Sequence, residues 1–270
     1  MEPLQVKQCC ASLYGSEPAR FLLGDSFHPG GVELTGRLAQ LARLAKDTVV
    51  LDVASGKGTS ALYLAETVGC KVVGIDLSLT NVEQASAEAA ARGLQHLASF
   101  RLGDAERLPM ETSSFDAIIC ECAFCTFPDK QRAAGEFARV LRPGGAVAIS
   151  DLTRTSAPLP ELDGLLAWIA CIGDAQPLEQ YGAWLTEACF AVETMERHDS
   201  CLIDMVNSVR SKLLVADVLK GLGKLNVPEL ETEEVKKFAQ AALRAVQSAQ
   251  LGYGVLVARK VALCEIRRSS

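Results

Sequence analysis

The sequence predicts an α/β fold: a Rossmann-like, doubly wound, mostly parallel seven-stranded sheet with a helical lid. Between residues 48 and 150, short β-rich apolar runs alternate with helical patterns. This alternation is typical of βαβ units, which build a parallel sheet covered on both faces. A last apolar run after a long helical stretch predicts a closing antiparallel strand. Hydrophobic residues make up 49% of the 270-residue chain, which is enough for a sizeable core.

The predicted elements follow one another in a regular order. Seven segments are predicted strands: TVVLDVA, CKVVGIDL, ASFRLGDA, FDAIICEC, AVAISDL, AVETMERHD and GYGVLVARKVAL. The helices among the first five are TSALYLAETVG, TNVEQASAEAAARG and DKQRAAGEFARVL, and RPGG is a predicted turn. We divide the chain into an N-terminal helical cap (1–46), the core (47–200), a helical lid insertion (201–250) and the closing strand of the core (251–264).

Charge and composition argue against several classes of function. The net charge is -6 and no segment is rich in lysine or arginine, so we expect neither a nucleic-acid partner nor a membrane surface. The first five residues lack the features of a signal peptide. We therefore expect a cytoplasmic protein whose ten cysteines stay reduced. No zinc-finger spacing of cysteines and no ligand pattern among the histidines is present, so no metal site is predicted.

The loop DVASGKG, residues 52–58, is the sharpest motif in the sequence. It follows the first predicted strand and precedes a helix, where ligands of open α/β sheets bind. Gly56 and Gly58 form one G-x-G pair rather than the G-x-G-x-x-G of dinucleotide-binding loops. The carboxylate of Asp52 would repel a pyrophosphate and attract a cationic amino group. Asp76, at the end of the second predicted strand, is suited to accept hydrogen bonds from ribose hydroxyls.

Four segments together resemble the class I S-adenosylmethionine-dependent methyltransferases: VVLDVASGKG, VVGIDLS, GDAERLPMETSSFDAIIC and ARVLRPGGAVAISD. The resemblance covers roughly residues 45 to 151 and implies an enzyme with S-adenosyl-L-methionine as its cofactor. It assigns the cofactor-binding role to Tyr14, Asp52, Ala54, Gly56, Gly58, Asp76, Leu77, Asp104 and Ala105.

The same resemblance divides these residues among the parts of the cofactor. Asp52 and the loop through Gly58 would hold the methionine part. Asp76 would bind the ribose, and Asp104 would reach the adenine amino group. Ala54 stands where the family usually has glycine.

Three cysteines lie within six positions of one another in CECAFC, at the end of the fourth predicted strand. Alternation places Cys120 and Cys122 on one face of that strand. Cys120 lies deeper and is predicted to be core, since free cysteine is among the most buried residue types. Cys122 lies at the carboxyl end of the strand, near the predicted cofactor, and Cys125 follows in the loop.

Within the methyltransferases, the sequence is similar to the arsenite methyltransferases. CECAFCTFPDK resembles their segment after strand four and matches at Cys122, and WIACIGDAQPLEQYGAWL matches their second arsenic-binding cysteine at Cys171. Trivalent arsenic is soft and thiophilic. The resemblance implies arsenite methylation with Cys122 and Cys171 as catalytic residues, joined by Cys10 or Cys125. In the loop LGDSFHPGG, Asp25 stands where this subfamily usually has a further cysteine.

Three alternatives remain open at this point. The acceptor could be a small organic molecule such as a quinone, a sterol or a thiol. The chain could be a catalytically silent cofactor-binding protein. A zinc site could use Cys120, Cys122 and Cys125, although their spacing fits no standard site. The expected partners are a small-molecule substrate and a thiol reductant.

Overall fold

The computed structural model describes residues 28–155, 157, 159–164, 167, 171–221 and 232–262. The predictions for Cys10, Tyr14 and Asp25 lie outside these residues. Seven strands are present: β1 (Val49–Val53), β2 (Lys71–Asp76), β3 (Ala98–Leu102), β4 (Phe115–Glu121), β5 (Leu141–Arg154), β6 (Phe190–Arg197) and β7 (Leu251–Lys260). The described helices are α1 (Gly31–Leu41), α2 (Thr59–Thr67), α3 (Leu79–Ala91), α4 (Lys130–Val140), α5 (Leu178–Glu187), α6 (Asp199–Gly221) and α7 (Thr232–Gln247).

All seven strands join one sheet in the order β3-β2-β1-β4-β5-β7-β6. The first five are parallel to one another, whereas β7 runs antiparallel to both β5 and β6. The predicted Rossmann-like sheet and its closing antiparallel strand are confirmed. The strand order reverses between β1 and β4, and ligands of such folds bind outside the carboxyl ends of the strands at this point.

The central strands supply the core. Leu51 of β1, Ile118 of β4 and Ile149 of β5 are fully buried, as expected for parallel strands covered on both faces. Helices α6 and α7 pack against each other and against β7. Their role as a lid and the domain boundaries stay predictions. No helix in the described part of the chain is long and apolar enough to cross a bilayer.

Two local expectations are wrong. The predicted RPGG turn belongs to β5, because Leu141 already pairs with Phe115 and a register irregularity between Phe115 and Ala117 accommodates the extra residues. Gly144 has a φ of 77°, which glycine adopts without steric cost. The second exception is Cys189, which is disulfide-bonded and not the reduced thiol that we expected.

Candidate active site

A cleft opens at the carboxyl ends of β1, β2 and β4. The predicted site residues that line it are Asp52, Ala54, Gly56, Asp76, Leu77, Asp104, Ala105 and Cys122. Its further lining includes His28, Ser55, Asn81 and Glu121. The parallel register explains the convergence, because Asp52 pairs with Gly74 of β2 and with Ile119 of β4. The end of each neighbouring strand therefore reaches the same edge of the sheet.

The loop after β1 turns through three left-handed residues. The φ angles of Ala54, Gly56 and Gly58 are 58°, 52° and 80°. The amide of Ser55 donates to the carbonyl of Ile75 at 2.8 Å, which ties the loop to β2. Ala54 occupies a conformation that strains any residue with a Cβ, and this accounts for the glycine that the family usually has there.

Gly58 is not among the residues that line the cleft. A Cβ at Gly58 would lie 2.7 Å from the Phe100 ring. Gly58 thus packs closely at the start of α2, and its contact with the cofactor stays a prediction.

Asp76 organises the loop and the start of α3 at once. Its Oδ2 accepts from the amide of Gly56 at 2.9 Å, and its Oδ1 accepts from the amide of Ser78 at 2.8 Å. The side-chain amide of Asn81 also donates to Oδ1. Burial raises the pKa of Asp76, and these hydrogen bonds oppose that rise. The carboxylate is thus fixed at the point where the β1 loop meets the end of β2.

Asp52 is buried and points into the cleft. Burial raises the pKa of its carboxyl well above the usual range, and the charges of Glu121 and Asp76 raise it further. Within the described residues, Oδ2 of Asp52, Oγ of Ser55 and Oδ1 of Asn81 have no hydrogen-bond partner. Buried polar atoms are normally paired, so these three atoms indicate a polar ligand in the cleft.

The charge of the cleft fits S-adenosylmethionine. Asp52, Asp76 and Glu121 place acidic groups around the cleft, and the cofactor carries a sulfonium and an ammonium group. Hydrogen-bond acceptors without a partner, together with the acidic side chains around them, favour a cationic ligand over an anionic one. The residues present therefore fit this cofactor.

At the predicted adenine end, Leu77 is exposed and Ala105 is buried. The carboxylate of Asp104 accepts from the amide of Glu106 at 2.9 Å, which holds the turn after β3. All three residues line the same cleft as Asp52.

Glu121, the last residue of β4, was missed by the sequence reasoning. Its side chain accepts from Oγ1 of Thr35 at 3.0 Å and lies 3.7 Å from Nδ1 of His28. Ser150 of β5 also contacts it, at 3.4 Å. The available signal was a carboxylate at the end of an otherwise apolar strand, directly beside the cysteines. Glu121 connects α1 to the cleft.

The predicted cysteines come from two segments that meet beside the cleft. Cys122 follows β4 directly, and its amide donates to the carbonyl of Ser150 at 2.7 Å. Cys125 is buried in the 3₁₀ turn Phe124–Thr126. Cys171 lies before α5, and its thiol donates to the carbonyl of Cys122 at 3.6 Å. Cys122 and Cys171 have φ angles of 52° and 60°, so both sit in strained backbone.

The three thiols also interact through their side chains. A hydrogen bond with the Cys171 thiol, followed by burial, raises the pKa of Cys122 well above its usual range. Burial, followed by a hydrogen bond with the same thiol, raises the pKa of Cys125. Cys171 is therefore the shared neighbour, and the thiols of Cys122 and Cys125 are held in their neutral form.

Asp151 of β5 is buried among these thiols. Its Oδ2 accepts from the amide of Cys125 at 2.8 Å, and its Oδ1 accepts from the amide of Leu152 at 2.8 Å. Burial and the neighbouring Cys171 raise the pKa of Asp151 to about 7. The group thus changes charge near neutrality, in contact with the cysteine segment.

Cys120 is fully buried in β4, where alternation predicted it. Across the residues that the structure describes, no group of three or more His, Cys, Asp or Glu side chains is arranged to hold a metal ion. The zinc alternative therefore has no support from the described residues.

The comparisons with known proteins agree with this geometry. Residues 51–149 match the family described as "Methyltransferase domain". This match and the geometry of the cleft support a class I S-adenosylmethionine-dependent methyltransferase. S-adenosyl-L-methionine is the cofactor of these methyltransferases, and the matched segment contains the loop after β1, Asp76, Asp104 and Cys122.

Similar proteins of this methyltransferase class differ in their named activities. An arsenite methyltransferase of Halobacterium salinarum is 34% identical over 173 residues, which is 61% of this chain and 43% of that protein. The 27-O-demethylrifamycin SV methyltransferase of Amycolatopsis mediterranei is 28% identical over 84% of this chain and 82% of its own length. The chain spans about half the length of the first curated relatives that it matches.

A similar solved structure is the phosphoethanolamine N-methyltransferase 2 of Haemonchus contortus in complex with phosphomonomethylethanolamine and S-adenosylhomocysteine. It has a TM-score of 0.75 and 19% sequence identity, covering 93% of this chain and 58% of that chain. At this identity the likeness establishes the shared fold alone.

Proposed function

We propose that the chain transfers a methyl group from S-adenosylmethionine to trivalent arsenic held by cysteine thiols. The observation that carries the proposal is the meeting of Cys122, Cys125 and Cys171 beside the cofactor cleft. Cys122 lines the cleft itself. The similarity to an arsenite methyltransferase over 61% of the chain also supports it.

The carboxyl groups of the cleft would bind and orient the cofactor. Asp52 would face its cationic methionine end, and Asp76, which holds the loop through Gly56, would present an oxygen to the ribose. The bound cofactor supplies an electrophilic methyl group on a sulfonium. The chain must then place a nucleophile in line with that methyl group, and most of the rate gain comes from this positioning.

Neutral thiols suit arsenous acid as the incoming substrate. Each thiol that binds arsenic replaces one hydroxyl group, and its proton leaves with that hydroxyl as water. Because Cys122 and Cys125 have raised pKa values, the site holds protonated thiols and avoids a cluster of buried negative charges. The bound arsenic would keep the lone pair that accepts the methyl group, and the electron pair of the carbon–sulfur bond would leave with the cofactor's sulfur as a neutral thioether.

A turnover assay tests this proposal. Purified chain is incubated with S-adenosylmethionine, arsenite and a small thiol reductant, and methylated arsenic is detected by mass spectrometry. We expect methylated product that depends on both the cofactor and arsenite. Clear binding of S-adenosylmethionine by calorimetry without any methylated arsenic would refute the arsenic assignment.

A small organic acceptor is the second candidate. The observation that favours it is the relative from Amycolatopsis mediterranei, which matches 84% of this chain and whose name indicates an organic substrate. Alkylation of the cysteines separates the two candidates. If arsenite protects Cys122, Cys125 and Cys171 from iodoacetamide, the arsenic assignment is favoured; equal labelling with and without arsenite favours the organic acceptor.

A further inference from the structure

The Pro-Asp-Lys run at residues 128–130 belongs to the segment that resembles arsenite methyltransferases, and its lysine is buried. Lys130 is the first residue of α4 and is 5% exposed. Its ammonium donates to the carbonyl of Phe127 at 3.0 Å and forms a close ion pair with Asp174. It also lies 5.8 Å from the centroid of the Trp184 ring. A buried charge is costly without partners, so these contacts determine where the ammonium lies.

Asp174 belongs to the segment that carries Cys171. The end of that segment is attached to β5, because Gln176 bridges to Thr153, and to α5, because the amide of Gln176 donates to Oη of Tyr181 at 3.0 Å. Between Gln176 and Cys171, the ion pair of Asp174 attaches the segment to α4 instead. The segment that follows Cys171 is therefore fixed at two points. Gln176 holds it to β5, and Asp174 holds it to α4.

Lys130 lies at the end of the other thiol-bearing segment. Residues 122–130 run from Cys122 through Cys125 to the start of α4. The ion pair between Lys130 and Asp174 consequently joins the two segments that supply the three thiols. Since Cys122 and Cys171 both have positive φ, their local backbone is strained and depends on surrounding contacts.

We propose that Lys130 is a positioning residue that, through Asp174, holds the Cys171 thiol against the thiols of Cys122 and Cys125. The proposal rests on the proposed function for the identity of the substrate. Its consequence for thiol geometry holds for any trivalent arsenical, so it is measured separately from turnover.

Phenylarsine oxide is the probe. It condenses with two nearby thiols, forms two arsenic–sulfur bonds and releases one water, with no change of oxidation state. The measurements use a parent chain with Cys9 and Cys10 replaced by serine, because adjacent cysteines would also bind the probe. Calorimetry gives the Kd of phenylarsine oxide and, separately, the Kd of S-adenosylmethionine.

Four variants of this parent separate positioning from general destabilisation. Lys130→Met keeps the length and the apolar stem of the side chain, and Asp174→Asn removes the partner charge at a position that is 38% exposed. Lys130→Arg restores the charge. The matched control is Arg142→Met. It removes an ion pair with Asp116 at the amino-terminal ends of β4 and β5, away from the cleft.

We expect Lys130→Met and Asp174→Asn to raise the Kd of phenylarsine oxide by about tenfold or more. Lys130→Arg should recover most of the affinity. Arg142→Met should match the parent, and the Kd of S-adenosylmethionine should stay unchanged throughout. An increase that is confined to the phenylarsine oxide Kd supports positioning, because general destabilisation would weaken cofactor binding as well.

Three results would overturn the proposal. The first is a parent chain that does not bind the probe. The second is Lys130→Met binding the probe as tightly as Arg142→Met. If Lys130→Met loses cofactor binding and is therefore misfolded, the test rests on Asp174→Asn. The third contrary result would then be an Asp174→Asn variant whose affinity for the probe equals that of the parent chain. A parent chain that binds the probe but produces no methylated arsenic refutes the proposed function and leaves this comparison intact.

Discussion

The two halves of the cleft are built from different chemistry. The half formed by β1 and β2 presents carboxylates, and Asp76 is held by the amides of Gly56 and Ser78. The half formed by β4 and β5 adds thiols: Cys122 lines the cleft next to Glu121, and Cys125 lies behind it against Asp151. Hard carboxyl oxygens suit a cation, whereas neutral sulfur suits a soft acceptor. The contrast explains how one edge of a sheet can hold two dissimilar ligands next to each other.

The halves also differ in how the chain assembles them. The carboxylate half depends on the turns after two adjacent strands, and the contact between Gly56 and Asp76 spans only 20 residues of sequence. The thiol half brings Cys171 to Cys122 across 49 residues of sequence. We therefore expect substitutions in one half to leave binding in the other half intact, and the following predictions test that independence.

The largest effect is expected for Cys122→Ser. Serine cannot replace a thiol as an arsenic ligand, so arsenite methylation should fall by about a thousandfold. The Kd of S-adenosylmethionine should change little, as calorimetry would measure. Cys120→Ala, two residues earlier in the same strand, is the control and should keep turnover. Full activity in Cys122→Ser would show that the thiol half does not bind the acceptor.

Asp151→Asn is expected to change the pH dependence of stability. Burial raises the pKa of Asp151 to about 7 from a reference of 3.8. The folded chain therefore holds an extra proton between these values, and its free energy of unfolding falls as pH rises, by up to about 1.4 kcal/mol per pH unit. Below the reference value and above about pH 7, the contribution of this group is constant.

Urea unfolding at several pH values between about 4 and 8 measures this effect. The asparagine introduced by Asp151→Asn cannot ionise, so the variant should lose part of the downward slope. The pKa values of Asp52 and Asp76 are also raised. These two groups should therefore still make the free energy of unfolding of the variant fall as pH rises. If the free energy of unfolding depends on pH identically in Asp151→Asn and in the unsubstituted chain, the raised pKa of Asp151 is contradicted.

Asp76→Asn tests the carboxylate half. It removes a charged hydrogen-bond acceptor, and we expect the Kd of S-adenosylmethionine to rise by about thirtyfold. Binding of phenylarsine oxide should remain as in the parent, since the thiols lie on the other half. If both affinities fall together, the two halves are coupled and the comparison fails.

The smallest effect is expected for Ala54→Gly. Glycine relieves the strain of a φ of 58° but also gives the unfolded chain more freedom, so the net gain in stability should be at most about 1 kcal/mol. Urea unfolding measures it. Ala87→Gly, on the exposed face of α3, is the control and should lose about 1 kcal/mol. A loss of stability in Ala54→Gly would show that the loop is not strained at this residue.

Much of the carboxylate half could be predicted from the sequence, because its signals are contiguous. A β-rich run followed by DVASGKG places Asp52 at a strand end, and the next strand places Asp76 beside it. Gly58 was assigned to the cofactor for the same reason, and the structure adds a close approach to Phe100 that the sequence did not indicate. A spacing motif identifies a residue that must be glycine but does not say which neighbour requires it.

The alternation of β-rich and helical segments was enough to predict the parallel sheet, the loop after β1 and the position of Cys122 at the end of β4. The distant groups that surround this cysteine became visible only in the folded chain. Glu121 meets Thr35 of α1, Asp151 meets Cys125, and Lys130 pairs with Asp174. The physical reason is that strand and turn patterns are local, whereas burial and charge pairing arise only when separate segments pack together.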